Sequence, residues 1–133
     1  AYILRMRTCL LRDLGAATAP FNAFMHIQGL ETLPLRMERH CANANRVAAW
    51  LAGHPAVSTV IHPSLQSGEA KRRADAYLKG GYGSLMGFEL KDGSEAGKRF
   101  IDALKMFYHV ANIGDARSLA IHPASTTHSQ LSE

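Results

Sequence analysis

The chain has 133 residues and a mass of 14.5 kDa, the size of one domain at roughly 100–200 residues each. Hydrophobic residues make up 47% and charged residues 20%, which excludes intrinsic disorder, and no stretch approaches the ~18 consecutive apolar residues of a membrane span. The net charge of +4 is scattered, and the one basic run, Lys71-Arg72-Arg73, lies between Glu69 and Asp75 like a solvated helix face, so no nucleic-acid partner is expected.

Residues 2–14 place Ile3, Leu4, Leu10, Leu11 and Leu14 at helical spacings, and Gly15 supplies a stop. Pro20 suits a first helical position, and Phe21, Phe24, Met25 and Leu30 continue as a second short apolar stripe. Thr32 is a candidate N-cap with Pro34 in the first turn. From there Leu33, Met37, Cys41, Ala44, Val47, Ala48 and Leu51 trace one face of a long helix, ended by Gly53 and Pro55. The period then changes. Val57 to Ile61 is a short β-branched run stopped by His62-Pro63, and residues 68–78 form a charged helix. Gly80-Gly81-Tyr82-Gly83 turns the chain into a strand over 84–90; Asp92-Gly93 and a capping Ser94 open another helix. Strands over 107–113 and 118–121 bracket Gly114-Asp115. This order predicts an α+β fold: a small, mostly antiparallel sheet covered by helices on one face and preceded by N-terminal helices. The chain starts without Met inside a helix and ends without a closing element, so it is expected to be a piece of something longer.

Candidate chemistry is sparse. The Gly80–Gly83 segment feeds a strand rather than a helix N-terminus, so it reads as a turn and not as a phosphate cradle. The seven histidines lack partners at zinc-ligand spacing, so no metal is predicted. No Gly-x-Ser-x-Gly elbow supports a hydrolase triad. Cys9 and Cys41 are far apart and form no C-x-x-C. With no signal-peptide pattern in the first residues, a cytoplasmic location is expected. The stretch from Asn112 to His128, rich in small polar and turn residues between apolar runs, remains either a pocket wall or a polar turn closing a hairpin.

That stretch resembles the C-terminal signature of the pyridoxal-phosphate-dependent enzymes of Cys/Met metabolism, the family of cystathionine synthases and lyases and of methionine lyase. The matching residues are Asn112-Ile113-Gly114-Asp115, Ser118-Leu119 and His122-Pro123-Ala124-Ser125-Thr126-Thr127-His128. Upstream, Leu11-Arg12-Asp13-Leu14-Gly15 and the block from Gln28 to His40 match as well. Asn112, where lyases usually have Ser, is similar to the O-acetylhomoserine sulfhydrylase branch. The resemblance implies the small C-terminal domain of a fold-type I transferase over 32–133, preceded by interdomain helices over 1–31. It implies a parent enzyme of methionine biosynthesis, usually a homotetramer. That enzyme would replace the acetoxy group of O-acetylhomoserine with sulfide or methanethiol, giving homocysteine or methionine. Its cofactor would withdraw electrons from the substrate α-carbon. Asn112 and Thr127 match positions lining the amino-acid pocket, with Asn112 at the substrate carboxylate, and Ala111 falls at a position tied to substrate choice.

The Schiff-base lysine, the stacking tyrosine and the phosphate-binding glycines of the family have no counterpart here. Lys71, Lys79, Lys91, Lys98 and Lys105 all lack the lysine's context, and Arg117 is not the family's carboxylate-clamping arginine. The resemblance therefore implies no catalytic residue in this chain, no cofactor bound to it alone, and a further strand and closing helix after Glu133. The alternatives are the cystathionine synthase/lyase or methionine lyase branch, and a stand-alone, non-catalytic interaction module.

Overall fold

A computed structural model describes residues 1–131; the last two positions of the expected small domain lie outside them. The chain divides into two compact units, Ala1–Pro34 and Leu35–Glu133.

The first unit is helical. Helix α1 (Tyr2–Arg5) runs directly into a π-helix over Met6–Leu14, where the apolar spacing predicts an ordinary α-helix. The Thr8 hydroxyl donates to the Leu4 carbonyl at 2.9 Å, the oxygen an α-type ladder would use at that point, and such back-bonding perturbs helices locally. Gly15, left-handed at φ 70°, ends the segment. Helix α2 (Pro20–Glu31) starts on its proline, whose missing N–H costs nothing in the first turn. Thr32, expected as a cap, is the residue at which α2 ends.

The second unit is α+β. Helix α3 (Leu33–Ala52), which belongs to this unit from Leu35 on, buries Cys41, Ala44, Ala48 and Leu51, positions three and four apart on one stripe; Val47 of the predicted face stays exposed. The His54 carbonyl accepts from Val57 N–H at 3.1 Å and turns the chain into strand β1 (Val57–Ile61). A buried His62, bonded through Nδ1 to the Ser64 hydroxyl at 2.7 Å, leads into a short 3-10 turn, then helix α4 (Gly68–Tyr77). The glycine turn follows. A Cβ on Gly81 would stand 2.7 Å from the Cys41 sulfur, so only glycine lets the turn approach α3 this closely.

Strand β2 (Gly87–Leu90) pairs antiparallel with β1, Thr59 opposite Glu89 and Val60 opposite Phe88, with an irregularity between Val57 and Thr59. Phe88 and Leu90 are half-buried while Gly87 and Glu89 are exposed, the period of two expected of a half-covered strand. Ser84 to Met86, predicted as strand, precede the ladder. Helix α5 (Gly93–Ala103) buries Ile101 and sets Phe100 edge-on to Phe88 at 5.4 Å. Ser94 lies within it, and Asp92 holds the cap position.

The two further predicted strands are the main departure. Over 107–113 and 118–121 the described structure has a single parallel bridge, Tyr108 to Leu119. Local bonds consume the donors a ladder would need. Val110 N–H turns back to the Tyr108 carbonyl at 3.0 Å, and Ile113 N–H is taken by the Asn112 side chain at 2.8 Å. Short polar side chains compete with strands in this way.

Candidate active-site segment

An apolar cleft of about 1130 Å³ lies within the second unit. Leu85 to Leu90, residues of α5 between Gly93 and Ile101, Val110 to Ile113, and Leu119 to Ala124 line it. Such a volume and lining suit a small-molecule site or a packing surface equally. Its shape depends on one close approach. A Cβ on Gly97 of α5 would come within 2.7 Å of the His122 ring, so the missing side chain lets the 119–124 segment lie against the helix. His122 is fixed in turn by its Nδ1, 2.8 Å from the Ser125 hydroxyl, while the Thr126 hydroxyl donates to the His122 carbonyl at 2.8 Å.

Of the predicted site residues, Ala111 and Asn112 are side by side on the cleft wall. Thr127 is not in the lining; its hydroxyl shares a 2.8 Å hydrogen bond with His128 Nδ1. Asn112 uses its side-chain oxygen on Ile113 N–H, which fixes the amide plane.

Beyond Asn112 the loop is braced by charge. Asp115 accepts from Arg117 three times: from the backbone N–H at 2.9 Å, from Nε at 3.2 Å and from Nη2 at 3.0 Å. The guanidinium carbon also lies 4.7 Å from the centre of the Tyr108 ring, within cation–π range. Tyr108 N–H bonds the Ser118 carbonyl at 2.9 Å, so stack and bridge close the loop at its base. The Arg117 side chain and backbone N–H hold the Asp115 carboxyl down at about 2. This brace is absent from the sequence reading above. Its signal is the Asp-x-Arg spacing, but the Tyr108 contact is nine residues away and leaves no local trace.

Pyridoxal phosphate finds no anchor in the cleft. No lysine is among its described lining residues. Lys71 is held by Asp75 at 2.6 Å and by Tyr82 at 3.1 Å, Lys98 by Glu95 at 2.7 Å, and Lys79 by the Asp75 carbonyl at 2.7 Å. The lining's ionisable groups among the described residues are Glu89 and His122. These residues do not fit a Schiff-base site. Among the described residues no three His, Cys, Asp or Glu side chains converge as metal ligands, and no helix is long and apolar enough to cross a membrane.

Residues 3–133 match the family described as Cys/Met metabolism PLP-dependent enzyme, and the chain belongs to that family. An O-acetyl-L-homoserine sulfhydrylase of Leptospira meyeri is 54% identical over 98% of this chain and 30% of its own length. O-acetyl-L-homoserine sulfhydrylase 1 of Thermus thermophilus is 51% identical, over 99% of this chain and 31% of its own. A solved structure from Campylobacter jejuni, named as an O-acetylhomoserine (thiol)-lyase and carrying a pyridoxyl-lysine group, superposes with a TM-score of 0.87. It is 46% identical over 98% of this chain and 31% of that one. The chain thus spans about 30% of the length of the curated relatives it matches.

Proposed function

We propose that this chain is the substrate-facing C-terminal segment of an O-acetylhomoserine sulfhydrylase, an enzyme of methionine biosynthesis. The parent would replace the acetoxy group of O-acetylhomoserine with sulfide or methanethiol. In this reading residues 1–31 are interdomain helices and 32–133 the small domain of a fold-type I enzyme, with helices covering one face of its sheet. Pyridoxal phosphate is held by parts of the parent outside this segment. The parent is a cytoplasmic homo-oligomer, a tetramer as is usual for the family.

The observation that carries the reading is the Ala111–Arg117 loop, which presents Ala111 and Asn112 to the cleft on a braced backbone. Loops held by rigid scaffolds are where binding residues concentrate. Asn112 is assigned to the substrate carboxylate, Ala111 to substrate choice and Thr127 to the amino-acid pocket. Support for the sulfhydrylase branch comes from the names of the relatives at 54% and 51% identity.

The test of the site is Asn112→Ala in the full-length enzyme. Losing a hydrogen bond to a charged group costs about 1.5–3 kcal/mol, so KM for O-acetylhomoserine should rise roughly ten- to hundredfold while cofactor absorbance is retained. Unchanged kinetics would remove Asn112 from the pocket.

A further inference from the structure

We infer that Arg117 is a positioning residue for substrate binding: it cancels the charge of Asp115, so that the loop carrying Asn112 offers no bare carboxylate to the anionic end of an amino-acid substrate. This rests on the reading of the loop given above and adds a role for a residue pair outside the cleft lining.

The geometry is one-sided in a telling way. The Asp115 side chain is only 15% exposed, whereas Arg117 is 55% exposed and lies over it. All three contacts from Arg117 converge on the two carboxylate oxygens. At this range the guanidinium offsets the carboxylate charge directly. Asp115 follows Asn112 by three residues on the same loop, and Asn112 lines the cleft. An anionic substrate group arriving at Asn112 therefore meets a paired charge. The Tyr108 ring under the guanidinium at 4.7 Å keeps Arg117 in place, which a freely moving surface arginine would not do. The Asp115 carboxylate also closes the turn by accepting from Arg117 N–H at 2.9 Å, a contact that does not need the guanidinium.

The two roles separate in the full-length enzyme reconstituted with pyridoxal phosphate. Arg117→Gln keeps a polar side chain with N–H donors and removes the charge. KM for O-acetylhomoserine should then rise on the order of tenfold, with kcat held within about twofold, and the penalty should shrink as salt is raised. Adding Asp115→Asn to that variant should restore KM, because Asn keeps an acceptor for the turn and carries no charge. Asp115→Asn alone should leave KM no higher than wild type, and Arg117→Lys should keep it near wild type.

A double variant as impaired as Arg117→Gln, or an Asp115→Asn variant equally impaired, overturns the inference in favour of a structural brace. An unchanged KM in Arg117→Gln overturns it outright. Titration of the same holoenzymes with L-homoserine as a carboxylate probe gives the same order without turnover. If wild-type enzyme binds the probe but makes no homocysteine, the sulfhydrylase reading fails while the Arg117 effect on probe affinity is still read. If the probe binds all variants equally, the charge role fails even where the activity is confirmed.

Discussion

Two glycines in helices make opposite predictions at the scale of single residues. Alanine is favoured over glycine in a helix interior by about 1 kcal/mol. At Gly29 of α2 an added Cβ meets nothing within 4 Å, so Gly29→Ala should raise stability by about 0.5–1 kcal/mol. At Gly97 the same methyl would strike the His122 ring, and overpacking of this kind costs about 1–3 kcal/mol. Gly97→Ala should lower the thermal midpoint, and equal shifts in the two variants would show that His122 yields freely. Asp115 gives a prediction in pH. Its carboxyl is held at about 2, below the ordinary 3.8, so the folded state binds its proton less readily than the unfolded chain. The stability this contributes is complete above the unfolded value and is lost as pH falls from about 4 through about 2. A carboxyl-resolved NMR titration should find Asp115 protonating below the ordinary carboxylate range, and Arg117→Gln should move it back toward the ordinary value.

Among the elements, β2 has β1 on one edge and no described strand on the other. An open edge presents unpaired N–H and C=O groups that template association, and the nearby Leu85 is 60% exposed. The 133-residue chain should therefore scatter light as a concentration-dependent oligomer, with Leu85→Lys weakening the association. A chain monomeric at high concentration would mean that this edge is protected. The same elements show what can be read from residues alone. The α3 stripe is legible because Cys41, Ala44, Ala48 and Leu51 repeat with the helix and all are buried, and the α+β character follows from the change of period at Val57. The segments over 107–113 and 118–121 are not legible as they fold. Their apolar, β-branched content suits strands, but Asn112 and the Val110 turn decide the outcome by local hydrogen bonds. The π-helix is likewise invisible in a pattern of apolar positions, which does not encode which carbonyl each N–H selects. Of the site, the loop bearing Ala111 and Asn112 is legible by its motif. Its brace through Tyr108 and its seat on Gly97 are contacts between distant residues, and only folding brings them together.

For the whole molecule, family membership and a described cleft lined by no lysine must both hold. The chain matches the family over nearly all its length yet covers about 30% of its relatives, and no lysine lines its described cleft. Mixed with pyridoxal phosphate, the isolated chain should acquire no visible absorbance band of bound cofactor and no stoichiometric borohydride-reducible adduct on one lysine. A single modified lysine would place an anchor within these residues after all. The most direct measurement is product analysis of the full-length holoenzyme given O-acetylhomoserine with equal concentrations of sulfide and cysteine. Homocysteine as the dominant product, with its KM set by Asn112, is the predicted result; cystathionine as the dominant product, or no turnover of O-acetylhomoserine with either thiol, would contradict it.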